Sequence, residues 1–282
     1  MTNSKLKSVL ITGCSQGGIG SSLALEFQKR GFHVFATARN VDKMAHLKDL
    51  ANVTLLRVDV TETTLIKEAV DAVQKQTGGG LDFLVNNSGV VHVAPILDTD
   101  LQAAKDMFDV NVFGPLLMVQ AFAPMLIASH GCIVNICSVS SYVYAPWMGL
   151  YGGSKAALEM MSETMRLELQ PLGVRVLSII TGAVDTNIMN TVSPASIPDD
   201  SPYKVKSVED ALTKMVKATD GIKRTPADEF SKTVVSDVLH GATGRVWRGE
   251  KAGTVKFMAK FSPVSIIDRI LCERAGMADL KV

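Results

Sequence analysis

An alternation limits what this sequence can fold into more than any other feature. From Ser8 to about Ile180, short apolar runs of strand length take turns with stretches whose apolar residues repeat at helical spacing. Val9 to Thr12 precedes a helical pattern from about Ile19 to Arg30, Val34 to Thr37 one near Val41 to Leu50, and Val53 to Val58 one from about Thr63 to Gln76. Phe83 to Val85 runs into Asn86-Asn87-Ser88-Gly89. Helical patterns near Leu101 to Asn111 and Gly114 to Ser129, a strand at Cys132 to Ile136, a helix at Tyr151 to Gln170 and a strand at Val174 to Ile180 follow. Apolar strands alternating with amphipathic helices predict an α/β fold: a doubly wound parallel sheet, Rossmann-like, with helices on both faces.

A chain of 282 residues suits a single domain of this kind. Hydrophobic residues make up 47% and charged ones only 20%, enough apolar material for a large core. The formal net charge is +1 without a block of like charge, so nucleic acid is not an expected partner. Cys14, Cys132, Cys137 and Cys272 show no paired spacing and the five histidines are scattered, which predicts neither disulfides nor a metal site. A reducing, cytoplasmic setting fits that cysteine usage. The polar start, Met1 to Lys7, has no secretory pattern, and no uninterrupted apolar run reaches the roughly 18 to 20 residues that span a bilayer.

Periodicity weakens after Thr181, where Pro194, Pro198, Asp199, Asp200 and Pro202 interrupt it. Residues 187–225 are therefore read as an irregular segment covering a substrate, within a main domain of residues 1–253. Residues 254–282 form an amphipathic tail in which Val255, Phe257, Met258, Phe261, Ile266, Ile267, Ile270 and Leu271 interleave with Lys256, Lys260, Asp268, Arg269 and Arg274. Such a tail is suited to packing on its own domain, to a subunit interface, to a lid over the substrate mouth, or to peripheral contact with an intracellular membrane.

Four features carry chemistry. The first strand ends in Thr12-Gly-Cys-Ser-Gln-Gly-Gly-Ile-Gly20, directly before a helix, where glycines let backbone N–H groups approach a pyrophosphate at the helix N-terminus. Arg39 closes the second strand, 19 residues past Gly20, where an acid would hold a ribose 2′-hydroxyl and a cation accepts a 2′-phosphate; Ser15 and Lys43 are placed to assist. Tyr151 and Lys155, four residues apart, share one helix face, and an ammonium near a phenol lowers its pKa. Ser138, 13 residues before Tyr151, stands at a strand C-terminus facing the crevice where such sheets bind ligands.

The ordered set Thr12 to Gly20, Asp59, Asn86 to Gly89, Asn111, Ser138, Tyr151 and Lys155 resembles the short-chain dehydrogenase/reductase family over about Ser8 to Thr186. The resemblance implies reduction of a ketone or aldehyde by NADPH, with Tyr151 as proton donor, Ser138 on the carbonyl oxygen, and Lys155 on the nicotinamide ribose, lowering the tyrosine pKa. Asn111 would position a relay water. Gly13, Ser15, Gly18, Ile19, Gly20, Arg39, Asp59, Asn87, Gly89, Tyr151, Lys155 and Thr186 would bind NADP(H), and a homodimer or homotetramer is implied. The same residues would serve an oxidative alcohol or hydroxysteroid dehydrogenase; a cofactor-binding protein without turnover is the remaining reading. The glycine loop carries one residue more than the family's commonest form, with Gly18 rather than Gly17 assigned the middle role, and Thr181-Gly182 stands where the family usually has Pro-Gly. Those departures and Ala36-Thr37-Ala38-Arg39 resemble its fungal branch, which includes 1-acyldihydroxyacetone-phosphate reductases and pathway ketoreductases. Tyr142, Tyr144, Trp147 and Met148 point to an apolar pocket.

Overall fold

The computed structural model describes residues 6–192 and 197–280. Pro194 and the first five residues lie outside the described residues. Seven parallel strands form one sheet in the order β3-β2-β1-β4-β5-β6-β9: β1 is Ser8–Ile11, β2 His33–Ala38, β3 Val53–Arg57, β4 Phe83–Asn86, β5 Cys132–Ser138, β6 Arg175–Thr181 and β9 Gly244–Arg248. The two-residue strands β7, Val184–Asp185, and β8, Thr225–Pro226, pair separately. The order reverses between β1 and β4, so the C-terminal ends of those strands open the crevice in which doubly wound sheets bind ligands. The expected fold is borne out.

Helices cover both faces: α1 Ile19–Lys29, α2 Thr63–Thr77, α3 Leu101–Phe108, α4 Gly114–Ala128, α5 Gly149–Leu169, α6 Lys206–Val216, α7 Ala227–Leu239, α8 Ala252–Phe261 and α9 Val264–Arg274. One core lies where Leu23 and Phe27 of α1 and Phe230, Val234 and Val238 of α7 meet Val9, Ile11, Val34 and Val134. The other joins Ile66 and Val73 of α2, Met118, Phe122 and Leu126 of α4, and Met165 of α5 to Leu10, Phe35, Leu84, Ile133 and Val176. Consecutive strand residues thus enter opposite cores, as when Val9 and Leu10 part company, which is why β1 reads as an unbroken apolar run.

Three local outcomes differ from the sequence expectation. The two helices either side of Asn111 are one rod, Leu101–Ala128, joined by a π-turn at Asp109–Phe113. Half of its most apolar window is buried in this fold. Val41–Leu47 is a 3₁₀ helix. Within residues 187–225 stands α6, whose Val208, Leu212 and Val216 recur every four residues and are buried; the preceding prolines masked that period.

The described C-terminal residues return to the main body. The Trp147 indole N–H donates to the Ala275 carbonyl at 3.1 Å, and the Ser207 hydroxyl to the Gly276 carbonyl at 2.8 Å. Ala275, Met277 and Leu280 pack with Val93, Trp147, Ile197, Tyr203, Val208 and Leu212 in a third apolar cluster. All four cysteines are free, and among the described residues no group of acidic, histidine or cysteine side chains is arranged to hold a metal.

Candidate active site

The glycine loop leaves β1 at Thr12, whose hydroxyl accepts the backbone N–H groups of Asn87 and Ser88, both at 2.9 Å. Asn87 returns the connection, its Nδ2 donating to the carbonyls of Thr12 at 2.8 Å and Gly13 at 3.1 Å. The ends of β1 and β4 are thereby locked together, and Asn87 is a brace of the loop as well as a wall of the crevice. Gly13 and Gly17 adopt left-handed dihedrals, at φ +72° and +77°. A Cβ on Gly20 would stand 2.5 Å from Asn87 Nδ2 and collide with the Gly13 carbonyl, so only glycine fits there.

Gly17 and Gly18 differ in what they require. Gly17 needs its positive φ and is covered by Asn187, whose backbone N–H donates to the Gly17 carbonyl at 3.1 Å. Gly18 has an ordinary extended conformation and is the N-cap of α1, with no side-chain cap bond. The first N–H groups of α1 therefore meet no capping side chain, and Gly18, Ile19 and Gly20 present an electropositive helix end. Ser15 lies on the same loop, its carbonyl accepting the Gly18 N–H at 3.2 Å.

Arg39 and Lys43 are exposed beyond β2, and among the described residues neither forms an ion pair. The Lys43 carbonyl accepts the Gln16 N–H at 2.9 Å, tying this segment to the glycine loop. Asp59, after β3, accepts from the Thr61 N–H and hydroxyl at 3.0 and 2.8 Å, which fixes its turn.

On the other side of the crevice Ser138, Tyr151 and Lys155 come together. Ser138 ends β5, its Oγ accepting the Ser140 N–H at 3.1 Å, and it is hydrogen-bonded to Tyr151. Lys155 is buried, with Nζ donating to the Ile136 carbonyl at 2.9 Å. Two turns further along α5, Asn135 Nδ2 donates to Ser162 Oγ at 2.7 Å, so α5 is pinned to β5 at two points. A Cβ on Gly89 would stand 3.5 Å from Lys155 Nζ and 3.3 Å from Asn111 Oδ1, so the glycine leaves the lysine room.

Asn111 lies in the π-turn, fully buried. Its Oδ1 accepts the Val90 N–H at 2.9 Å, and Nδ2 donates to the Val90 carbonyl at 2.9 Å and to Ser154 Oγ at 3.0 Å. Ser154 passes the chain on to the Tyr151 carbonyl at 2.8 Å. Sequence reasoning passed over Ser154 and gave Thr12 no role beyond opening the glycine loop; the hydroxyls of both act on backbone. Thr186 begins the turn Asn187–Thr191, its Oγ1 accepting the Ile188 N–H at 3.5 Å.

The electrostatics depart from expectation in one respect. Burial dominates and raises the Tyr151 hydroxyl above its ordinary value near 10, while the Ser138 hydrogen bond draws it partly back. Burial likewise lowers Lys155, so in the free chain desolvation outweighs any ammonium effect on the phenol. The Cys137 thiol, buried beside them, is pushed up to about 12 and stays protonated. The aromatic residues beyond Ser138 divide: Tyr142 packs on Trp247 and donates to Glu159, Trp147 is buried against Tyr203, and Tyr144 is exposed with a hydrogen bond to Asp268.

A family model described as short chain dehydrogenase matches residues 7–196. The short-chain dehydrogenase ptmH of Penicillium ochrochloron is 46% identical over 272 residues, 96% of this chain and 99% of that protein. The NADPH-dependent 1-acyldihydroxyacetone phosphate reductase of Schizosaccharomyces pombe is 45% identical over 201 residues, 70% of this chain and 68% of its own. Among solved structures, a short-chain dehydrogenase from Streptomyces avermitilis matches with a TM-score of 0.79 at 25% identity, covering 97% and 96% of the two chains. One from Burkholderia cenocepacia, in complex with NADP, matches at 0.72 and 25% identity, covering 96% and 98%. The resemblance read from the sequence, fungal relatives included, is borne out, and this chain belongs to the short-chain dehydrogenase family.

Proposed function

We propose that the chain is an NADPH-dependent reductase of ketones or aldehydes, with Tyr151 as the proton donor. The observation that carries this reading is the Tyr151 hydroxyl beside Ser138 at the end of β5, with the buried Lys155 one turn along the same helix and held to the Ile136 carbonyl. The residues present fit a dinucleotide phosphate: a glycine cradle that a Cβ would fill, a helix N-terminus without a side-chain cap, and exposed Arg39 and Lys43. The NADPH-dependent yeast relative and the NADP-bound neighbour support the same choice.

NADPH, when bound, supplies a hydride to the carbonyl carbon. Ser138 donates a hydrogen bond to the carbonyl oxygen, and Tyr151 gives that oxygen its proton as negative charge develops. Lys155 holds the ribose hydroxyls beside them and conducts the replacement proton toward Tyr151. Asn111 secures the lysine pocket: both its N–H donors are engaged, so a relay water would be held by the free lone pair on Oδ1. Gly13, Ser15, Gly18, Ile19 and Gly20 hold the pyrophosphate side, Asp59, Asn87 and Gly89 the adenine and crevice walls, and Thr186 the carboxamide.

The NADPH-dependent reductase among the relatives favours reduction over the oxidative reading. Exposed Leu101 and Phe113 on the long rod and Met160 and Leu167 on α5 favour a homo-oligomer.

The test is NADPH consumption by purified protein across a panel of ketones and aldehydes as pH is raised. Reductive turnover should be level through neutrality and fall only in strongly alkaline solution, where Tyr151 loses its proton. Efficient alcohol oxidation at neutral pH without any carbonyl reduction would overturn the assignment.

A further inference from the structure

The hairpin formed by α8 and α9 is held to the body at few points. Ala252 and Ile267 are its buried residues, whereas Phe257, Phe261, Val264, Ile266 and Ile270 are between 40% and 64% exposed. Phe257 and Phe261 lie one turn apart with ring centroids at 5.2 Å, and Ile266 and Ile270 one turn apart on the next helix. Solvent-facing aromatic and β-branched residues at this density mark a surface with a partner.

Charge identifies the partner. Residues 250–274 hold five cations, Lys251, Lys256, Lys260, Arg269 and Arg274, against the carboxylates Glu250, Asp268 and Glu273; Lys251 pairs with Glu250 and Arg269 with Glu273. The whole chain is formally only +1, so basic charge is concentrated on this apolar hairpin. Among the described residues Lys256 and Arg274 form no ion pair, and Lys260 rests 5.2 Å from the Phe261 ring centroid. A second copy would bring the same excess of cations over carboxylates to the contact, which is unfavourable. A surface of anionic lipid offers opposite charge above an apolar layer.

We infer that α8 and α9 form a foot that seats on anionic membranes, with Phe257, Phe261, Val264, Ile266 and Ile270 entering the headgroup boundary and Lys256, Lys260 and Arg274 resting on phosphates. The hydrogen bonds of Ala275 and Gly276 to Trp147 and Ser207 anchor that foot to the wall of the apolar cluster.

The test is co-sedimentation of the full chain with vesicles of phosphatidylcholine alone or with added phosphatidylserine. Binding should require the anionic lipid and weaken as salt is raised. The pair Lys256→Gln/Lys260→Gln should lower vesicle affinity on the order of tenfold, and Phe257→Ser/Phe261→Ser should abolish binding, with the thermal midpoint of each pair unchanged. Equal binding to neutral vesicles, or none to anionic ones at low salt, would overturn the inference. So would a particle mass that falls in the phenylalanine pair, which would make this face an interface between copies.

Discussion

Arg39 follows β2, at the position proposed to meet the adenosine ribose, and it is exposed and forms no ion pair among the described residues. A charge-assisted bond to phosphate contributes about 1.5 to 3 kcal/mol, one to two decades in affinity. Arg39→Ala should therefore erode most of a preference for NADPH over NADH, read by titrating both dinucleotides at one ionic strength; equal wild-type affinities would remove the basis for the choice. The neighbouring glycines make a graded series. Gly20→Ala should unfold the loop, since its Cβ would meet a backbone carbonyl, and Gly17→Ala should lower stability by at least about 1 kcal/mol, through its positive φ and by displacing the Asn187 side chain. Gly18→Ala should leave the thermal midpoint within a degree or two but weaken dinucleotide binding. If Gly18→Ala binds NADPH as the wild type does, the middle position is not Gly18.

Among the elements, the π-turn at Asp109–Phe113 does the most to shape the site. It turns Asn111 inward between Val90 and Ser154, so one amide satisfies both backbone groups of the Val90 peptide positions and reaches the first turn of α5. Asn111→Leu would strand those groups, and a loss of about 2 to 4 kcal/mol in unfolding free energy is expected. Asn111→Asp keeps the acceptor for the Val90 N–H but sets a carboxylate oxygen against the Val90 carbonyl in a buried site, so it should not restore the loss; equal stability of the wild type and Asn111→Leu would contradict the structural role. The sequence made Asn111 legible as a site residue but not the turn itself, because apolar residues on both sides satisfy an ordinary helical period. Strand and helix positions through β6 were legible from periodicity. β9 was not, since Gly244-Arg-Val-Trp-Arg248 mixes charge with apolar residues where one side of an edge strand meets water. Order and spacing singled out Ser138, Tyr151 and Lys155 as candidates, whereas the raised Tyr151 pKa depends on burial that no spacing encodes.

For the molecule as a whole, chemistry and enclosure come from different parts of the chain. Every residue proposed to hold the dinucleotide precedes Asn187, while the third apolar cluster combines Trp147, α6 and the last described residues. Removing residues 254–282 should leave NADPH affinity within a few-fold and raise the Michaelis constant for an apolar ketone, because Ala275, Met277 and Leu280 leave that cluster. Loss of NADPH binding by a truncated chain that stays folded would contradict this division.

The most direct measurement of the central claim compares wild type with Tyr151→Phe in one preparation, following NADPH affinity by titration and carbonyl reduction by NADPH consumption. The ring remains and the transferable proton is gone. The account predicts NADPH affinity within a few-fold of wild type and turnover reduced by at least about a thousandfold. Near wild-type turnover of the same substrate by the phenylalanine variant would contradict it.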